Sequence, residues 1–178
     1  MPDFVRDGVA IAFLDEGEGA PIVLVHGFAS NKEVNWVAPG WVSTLTRAGR
    51  RVIALDNRGH GASAKLYDPA LYHTSLMAED VRALLDHLSI ARADVMGYSM
   101  GARITAFLAV AAPGRVRAAV LGGLGIRLVE GVGLPETIAS GSSPTPPTSR
   151  PPTPPSTAER TCSGLAMARN AVFRAPME

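Results

Sequence analysis

Short apolar runs recur along the chain as far as about residue 121. Residues 8–14, 21–25, 51–55 and 116–121 are rich in Val, Ile, Leu and Ala, and polar residues or glycines separate them. Such runs predict β-strands. The run at 22–25, Ile-Val-Leu-Val, does not alternate with polar residues, so this strand is predicted to be covered on both faces.

Stretches between the apolar runs have the three- and four-residue spacing of helices. The first covers about 40–48, and its apolar face includes Trp41, which we predict to lie in the core. The second covers 74–88, with Leu76, Val81, Leu84, Leu85 and Leu88 inward and Glu79, Asp80, Arg82 and Asp86 outward. Alternating strands and helices predict an α/β fold with a mostly parallel sheet and helices on both faces.

A serine lies between an apolar run and a third helical stretch, in the pattern Gly97-x-Ser99-x-Gly101. This spacing is typical of a sharp turn that presents a nucleophile, with glycines where a Cβ would collide with neighbouring backbone. The helix is predicted to begin at Met100 and to end before Pro113-Gly114. Ser99 is therefore a candidate nucleophile; the alternative is a serine that caps a helix in a nucleotide-binding crossover.

Two main-chain amides are candidates for an oxyanion hole. The Met100 amide lies at a helix N-terminus, where N–H groups lack intrahelical partners. The other candidate is the Phe28 amide, because the strand at 21–25 stops at His26-Gly27-Phe28 and the glycine allows a sharp bend. Ligands bind at the carboxyl ends of strands in open α/β sheets. We assign His26, Gly27 and Tyr98 to the pocket beside the nucleophile.

Three motifs at the ends of successive strands carry a family resemblance: His26-Gly27-Phe28, Asp56-x-Arg58-Gly59-x-Gly61 and Gly97-Tyr98-Ser99-Met100-Gly101. Over about residues 8–130 the chain resembles the α/β-hydrolase fold family, in its small esterase, lactonase and carbon-carbon hydrolase branch. The resemblance implies that Ser99 is the nucleophile and that the amides of Phe28 and Met100 form the oxyanion hole. Branches that attack with a carboxylate, such as epoxide hydrolases, have Asp at this position, so the serine disfavours them.

The acid and the base of the expected triad are missing from their places. In this family the order along the chain is Ser, then Asp or Glu, then His. The four histidines, at positions 26, 60, 73 and 87, all precede Ser99, and the last aspartate is Asp94. We identify no base, and Glu130 is a weak candidate acid by position alone. His26 is predicted to fix its loop through a backbone hydrogen bond, and Asp56 is predicted to pair with Arg58.

The sequence changes character at about Leu134. Residues 144–155 contain seven prolines in twelve positions, and no apolar periodicity follows. We therefore divide the chain into residues 1–133, part of a hydrolase domain, and 134–178, a Pro/Ser/Thr-rich tail predicted to be disordered. One interpretation is a proline-rich linker or adaptor ligand. The hypothesis we favour is an out-of-frame or abnormal ending from about Ser140, replacing the family's cap and last strands. The strand at 116–121 would then be an exposed edge prone to self-association.

Composition excludes several classes of function. A formal charge of +1 argues against a dedicated nucleic-acid binder. No apolar run approaches the roughly 20 residues of a membrane span. The single cysteine, Cys162, favours a cytoplasmic location. We expect no cofactor and no metal.

The sequence therefore favours a serine hydrolase of small acyl substrates with incomplete catalytic machinery. The alternatives are a non-catalytic binding protein, an inactive fragment, and a protein whose base comes from another polypeptide.

Overall fold

The computed structural model describes residues 2–125 and the main chain of residues 170–174. These residues form seven strands and three α-helices. The strands are β1 Asp3–Arg6, β2 Val9–Glu16, β3 Ala20–Val25, β4 Arg50–Leu55, β5 Ala93–Tyr98, β6 Val116–Gly122 and β7 Asn170–Arg174. The helices are α1 Trp41–Arg47, α2 Thr74–His87 and α3 Met100–Ala111.

All seven strands belong to one mixed sheet in the order β1-β2-β4-β3-β5-β6-β7. The central strands β4, β3, β5 and β6 are parallel. β1 pairs antiparallel with β2, β2 with β4, and β7 with β6. The predicted parallel core is confirmed, and the carboxyl ends of β3, β4 and β5 meet at one edge of the sheet.

Both faces of the sheet are covered, as the continuous apolar run in β3 predicts. Val23 and Val25 face a cluster that includes Val81, Leu84 and Leu85 of α2 and Ile104 and Leu108 of α3. Ile22 and Leu24 point to the other side, where they pack with Trp36 and with Val42 of α1. Adjacent residues of one strand therefore serve two separate hydrophobic layers.

The two outer strands of the sheet were not expected. β1 lies in a short charged segment, and its pairing with β2 could not be inferred from an apolar run. β7 lies within the tail that we predicted to lack structure, and it covers β6. The prediction that β6 is a free edge is therefore wrong. The remaining tail, including the proline-rich segment and Glu130, lies outside the described residues.

Two predicted side-chain positions are also wrong. Asp80 is buried, not outward, because its carboxylate accepts hydrogen bonds from Arg58 Nε at 2.7 Å and Arg6 Nη1 at 2.9 Å. Trp41 is 43% exposed, whereas Trp36 is 2% exposed and supplies the core indole. For Asp80 the environment is decided by distant partners, which the local helical period could not show.

None of the helices in residues 2–125 has the length and apolar character that crossing a membrane requires.

Candidate functional site

Ser99 occupies the turn between β5 and α3 in a strained backbone conformation. Its φ of 52° and ψ of −114° lie where residues other than glycine are rarely found. The Ser99 amide donates to the Gly122 carbonyl at 2.9 Å, and its carbonyl accepts from the Arg103 amide at 3.2 Å. The residue is partly exposed. The surrounding structure thus holds the serine at the sheet edge.

The glycines on either side of Ser99 are required by close backbone contacts. A Cβ on Gly97 would collide with the Gly101 carbonyl, and a Cβ on Gly101 would collide with the carbonyl of Val25. The nucleophile turn is therefore packed directly onto the end of β3. This steric reason for the Gly-x-Ser-x-Gly spacing is the one expected from the sequence.

The loop after β3 reaches the serine through Gly27. A Cβ on Gly27 would lie 3.4 Å from the Cβ of Ser99 and 3.3 Å from the Tyr98 carbonyl oxygen. The Gly27 amide donates to Asn35 Oδ1 at 3.1 Å, and the Ala29 amide donates to His60 Nε2 at 3.3 Å. Within the described residues the intervening Phe28 amide has no acceptor.

The second candidate amide belongs to Met100, the first residue of α3. Amides in the first turn of a helix have no carbonyl partner within that helix, and the helix dipole places partial positive charge there. Phe28 follows β3 and Met100 begins α3, and these two segments of the chain meet at Ser99.

His26 does not line an open pocket, contrary to its assignment from the sequence. Its side chain is fully buried. The Asn57 amide, which can only donate, lies 2.9 Å from Nε2, so Nδ1 carries the proton and donates to the Gly27 carbonyl at 2.7 Å. Burial lowers the pKa of His26 to about 4. These contacts agree with the role predicted for His26, which is to fix its loop through a backbone hydrogen bond.

His60 is bonded in the same manner as His26. Its Nε2 accepts from the Ala29 amide, so its Nδ1 donates to the Arg58 carbonyl at 2.9 Å. The His60 ring lies 5.3 Å from the His26 ring and 5.9 Å from the Phe28 ring, centroid to centroid. The sequence carries no local signal for this contact with the loop that contains Phe28, because residues 29 and 60 are brought together by the pairing of β3 with β4.

Two aromatic side chains at the site are accessible. Phe28 is 46% and Tyr98 49% exposed. The Tyr98 ring lies against Gly27 and Gly123, since a Cβ on either glycine would approach it to 3.5 and 2.7 Å respectively. Gly27 thus lies beside both Ser99 and the Tyr98 ring, and the assignment of Gly27 and Tyr98 to a substrate pocket stays a prediction.

A buried ion pair holds the loop that follows Phe28. Asp56 accepts from the Lys32 amide at 2.8 Å and from Lys32 Nζ at 2.7 Å. Burial alone would raise the pKa of Asp56, but the hydrogen bonds from Lys32 and Ala62 outweigh it and hold that pKa below its ordinary value. The predicted partner, Arg58, binds Asp80 instead.

No free imidazole accompanies the serine in the part of the chain that the structure describes. His26 and His60 use both ring nitrogens on main-chain groups. His73 precedes α2 and is exposed, and His87 is the last residue of that helix and stacks on Phe4. Within residues 2–125, no three His, Cys, Asp or Glu side chains are grouped as a metal site would need.

Comparison with known families agrees with this architecture. The family model described as alpha/beta hydrolase fold matches residues 20–134, which include the Gly27 loop, the Ser99 turn and β6. The chain belongs to the α/β-hydrolase fold family. The match ends at the position where the sequence changes composition.

The curated proteins that are similar to this chain have varied names. The chain is 43% identical over 122 residues to a dihydrolipoyllysine-residue acetyltransferase component of an acetoin cleaving system from Pseudomonas putida, covering 67% of this chain and 29% of that protein. It is 35% identical over 117 residues to a non-heme chloroperoxidase from Kitasatospora aureofaciens, covering 65% and 41%.

A solved structure is also similar to this chain. An N-acyl homoserine lactone degrading enzyme superposes with a TM-score of 0.58 and 37% identity, covering 65% of this chain and 42% of that one. The chain therefore spans less than half the length of the relatives it matches.

Proposed function

We propose that this chain carries the nucleophile and oxyanion hole of a serine hydrolase that acts on carboxylic esters, lactones or similar acyl substrates. The observation that carries the proposal is the conformation of Ser99, held at a positive φ above the sheet edge with Gly27 against it. Strained backbone of this kind persists at functional sites because the surrounding structure enforces it.

The chemistry follows from the groups around the serine. The Ser99 hydroxyl attacks the acyl carbonyl carbon, and the carbonyl oxygen becomes an oxyanion that accepts from the Phe28 and Met100 amides. The hydroxyl proton must pass to a base, and both nearby histidines have their ring nitrogens occupied. We therefore propose that this 178-residue polypeptide by itself turns over very slowly.

The acyl class of substrate has support from the relatives. One similar protein is named for degrading an N-acyl homoserine lactone and another for acetyl transfer. Both names describe chemistry at an acyl carbon, which is the atom that Ser99 would attack. The accessible rings of Phe28 and Tyr98 offer apolar surface for the acyl chain. We also propose a cytoplasmic location, which the single cysteine supports.

A fluorophosphonate probe tests this proposal without requiring turnover. We expect a slow covalent adduct on Ser99, located by peptide mass spectrometry, that free imidazole accelerates and that Ser99→Ala abolishes. Ser89 is a control within the same chain, because it is an exposed serine that also has a positive φ, 54°, but lies between α2 and β5.

The outcome also separates the proposal from its alternative. Labelling at Ser99 no faster than at Ser89, with or without imidazole, would contradict the hydrolase assignment. That result would favour a non-catalytic binding protein that keeps the fold and uses the Phe28 and Tyr98 surface for contact.

A further inference from the structure

The Phe28 main chain lies between two peptide groups that are each held by a histidine ring. The peptide before it contains the Gly27 carbonyl, which accepts from His26 Nδ1 at 2.7 Å. The peptide after it contains the Ala29 amide, which donates to His60 Nε2 at 3.3 Å.

The first of these bonds fixes where the Phe28 amide points. The described residues contain no cis peptide bond, and in a planar trans peptide the C=O and N–H point in opposite directions. Because the Gly27 carbonyl points to the buried His26 ring, the Phe28 N–H points away from that ring. The Phe28 N–H, which has no acceptor within residues 2–125, is thereby left available to donate.

The second hydrogen bond, from the Ala29 amide to His60, fixes the peptide group that follows Phe28. Ala29 has a φ of 52°, a conformation that costs a non-glycine residue free energy and needs enforcement. One contact that can hold this conformation is the hydrogen bond from the Ala29 N–H to His60 Nε2, and Nδ1 of the same ring is anchored on the Arg58 carbonyl. The His60 ring also contacts Phe28 edge-on.

We propose that His60 is a positioning residue for the oxyanion hole, acting through the Ala29 amide on the Phe28 main chain; the inference rests on the proposed function. His60 serves as a neutral acceptor and not as a substitute base, because its only unprotonated nitrogen is committed to the Ala29 N–H. The pair His26 and His60 holds both torsion angles of Phe28.

The test compares His60→Ala, His60→Gln and His73→Ala in the full 178-residue chain. Glutamine keeps an acceptor near the position of Nε2, whereas alanine removes it. His73 is the matched control because it is exposed and lies at the start of α2. Amide hydrogen exchange measured by NMR reports on Ala29 directly, and long-range nitrogen spectra report the protonation of the His60 ring.

We expect wild-type His60 to be protonated on Nδ1 alone. Losing one hydrogen bond of about 1 kcal/mol should speed exchange of the Ala29 amide about 5- to 10-fold in His60→Ala. His60→Gln should restore most of the protection, and His73→Ala should change nothing. Fluorophosphonate labelling of Ser99 should fall and recover in the same order.

Unchanged Ala29 exchange in His60→Ala, or a His60 ring protonated on Nε2, would overturn the inference. An equal loss of labelling in His60→Ala and His60→Gln would also overturn it, since that pattern marks a general packing role. If Ser99 is not labelled in any variant, the proposed function fails, while the Ala29 exchange rates still decide whether His60 holds this loop.

Discussion

Lys32 Nζ donates to Asp56 Oδ2 across 2.7 Å, and both side chains are almost completely buried. The same carboxylate accepts from the Lys32 and Ala62 amides at 2.8 Å. A single aspartate after β4 thus joins the loop that contains Phe28 to the loop that contains His60.

Lys32→Met should lower the free energy of unfolding by about 3–5 kcal/mol, because it leaves a buried carboxylate without its counter-charge. The double variant Lys32→Met/Asp56→Asn should recover part of that loss in urea unfolding. Glu79→Gln, which removes a half-exposed ion pair with Arg82, is the control and should cost about 1 kcal/mol or less. Equal losses in Lys32→Met and Glu79→Gln would contradict the expectation.

Acid should weaken the fold through Asp56. Its pKa in the folded chain lies below its ordinary value, so its stabilising contribution is present above about pH 4 and is lost as the pH falls through the folded-state pKa. The double variant should lose less stability than the wild type as the pH falls, as measured by unfolding midpoints between pH 2 and 5.

His26 should produce a second, separate pH dependence. Its pKa is about 4 in the folded chain and 6.5 without the protein environment. The unfolded chain therefore binds more protons between these values, so stability should fall by about 3 kcal/mol as the pH drops from 6.5 to 4. His26→Asn should reduce this slope and His73→Asn should not; a slope that is the same in all three proteins would contradict the assignment.

Gly101→Ala should destabilise the chain by about 3 kcal/mol or more, because its Cβ would collide with the main chain at the end of β3. Gly114→Ala is the matched control, since a Cβ there meets nothing within 4 Å. Urea unfolding of both variants gives the comparison. A Gly101→Ala protein as stable as Gly114→Ala would show that β3 and the serine turn are not in contact.

Turnover of a p-nitrophenyl ester by the 178-residue polypeptide should be very low. In a comparable protease, losing the histidine costs about 10⁶ in kcat, and the oxyanion hole with binding retains about 10³–10⁴ over water. The rate should be measured beside Ser99→Ala. A rate well above that residual level that disappears in Ser99→Ala would show that a base is present.

The local part of the site could be predicted from the sequence, and the long-range part could not. Gly97, Ser99 and Met100 are adjacent along the chain, so their turn and the start of α3 follow from spacing and helix signals. The environment of Asp80 depends on Arg58, 22 positions away, and that of Asp56 on Lys32. The helical period assigns each residue to one face of its helix, but it cannot identify the charged side chain from another part of the sequence that will contact that residue.

The hydrogen bond from the Ser99 amide to Gly122 has a consequence for how the site is made. During synthesis a ribosome releases β5, the serine and α3 before it releases β6. The Ser99 amide therefore cannot donate to the Gly122 carbonyl until β6 has been synthesised and has joined the sheet. The geometry of the reactive turn is therefore completed only when β6, which follows it along the chain, has joined the sheet.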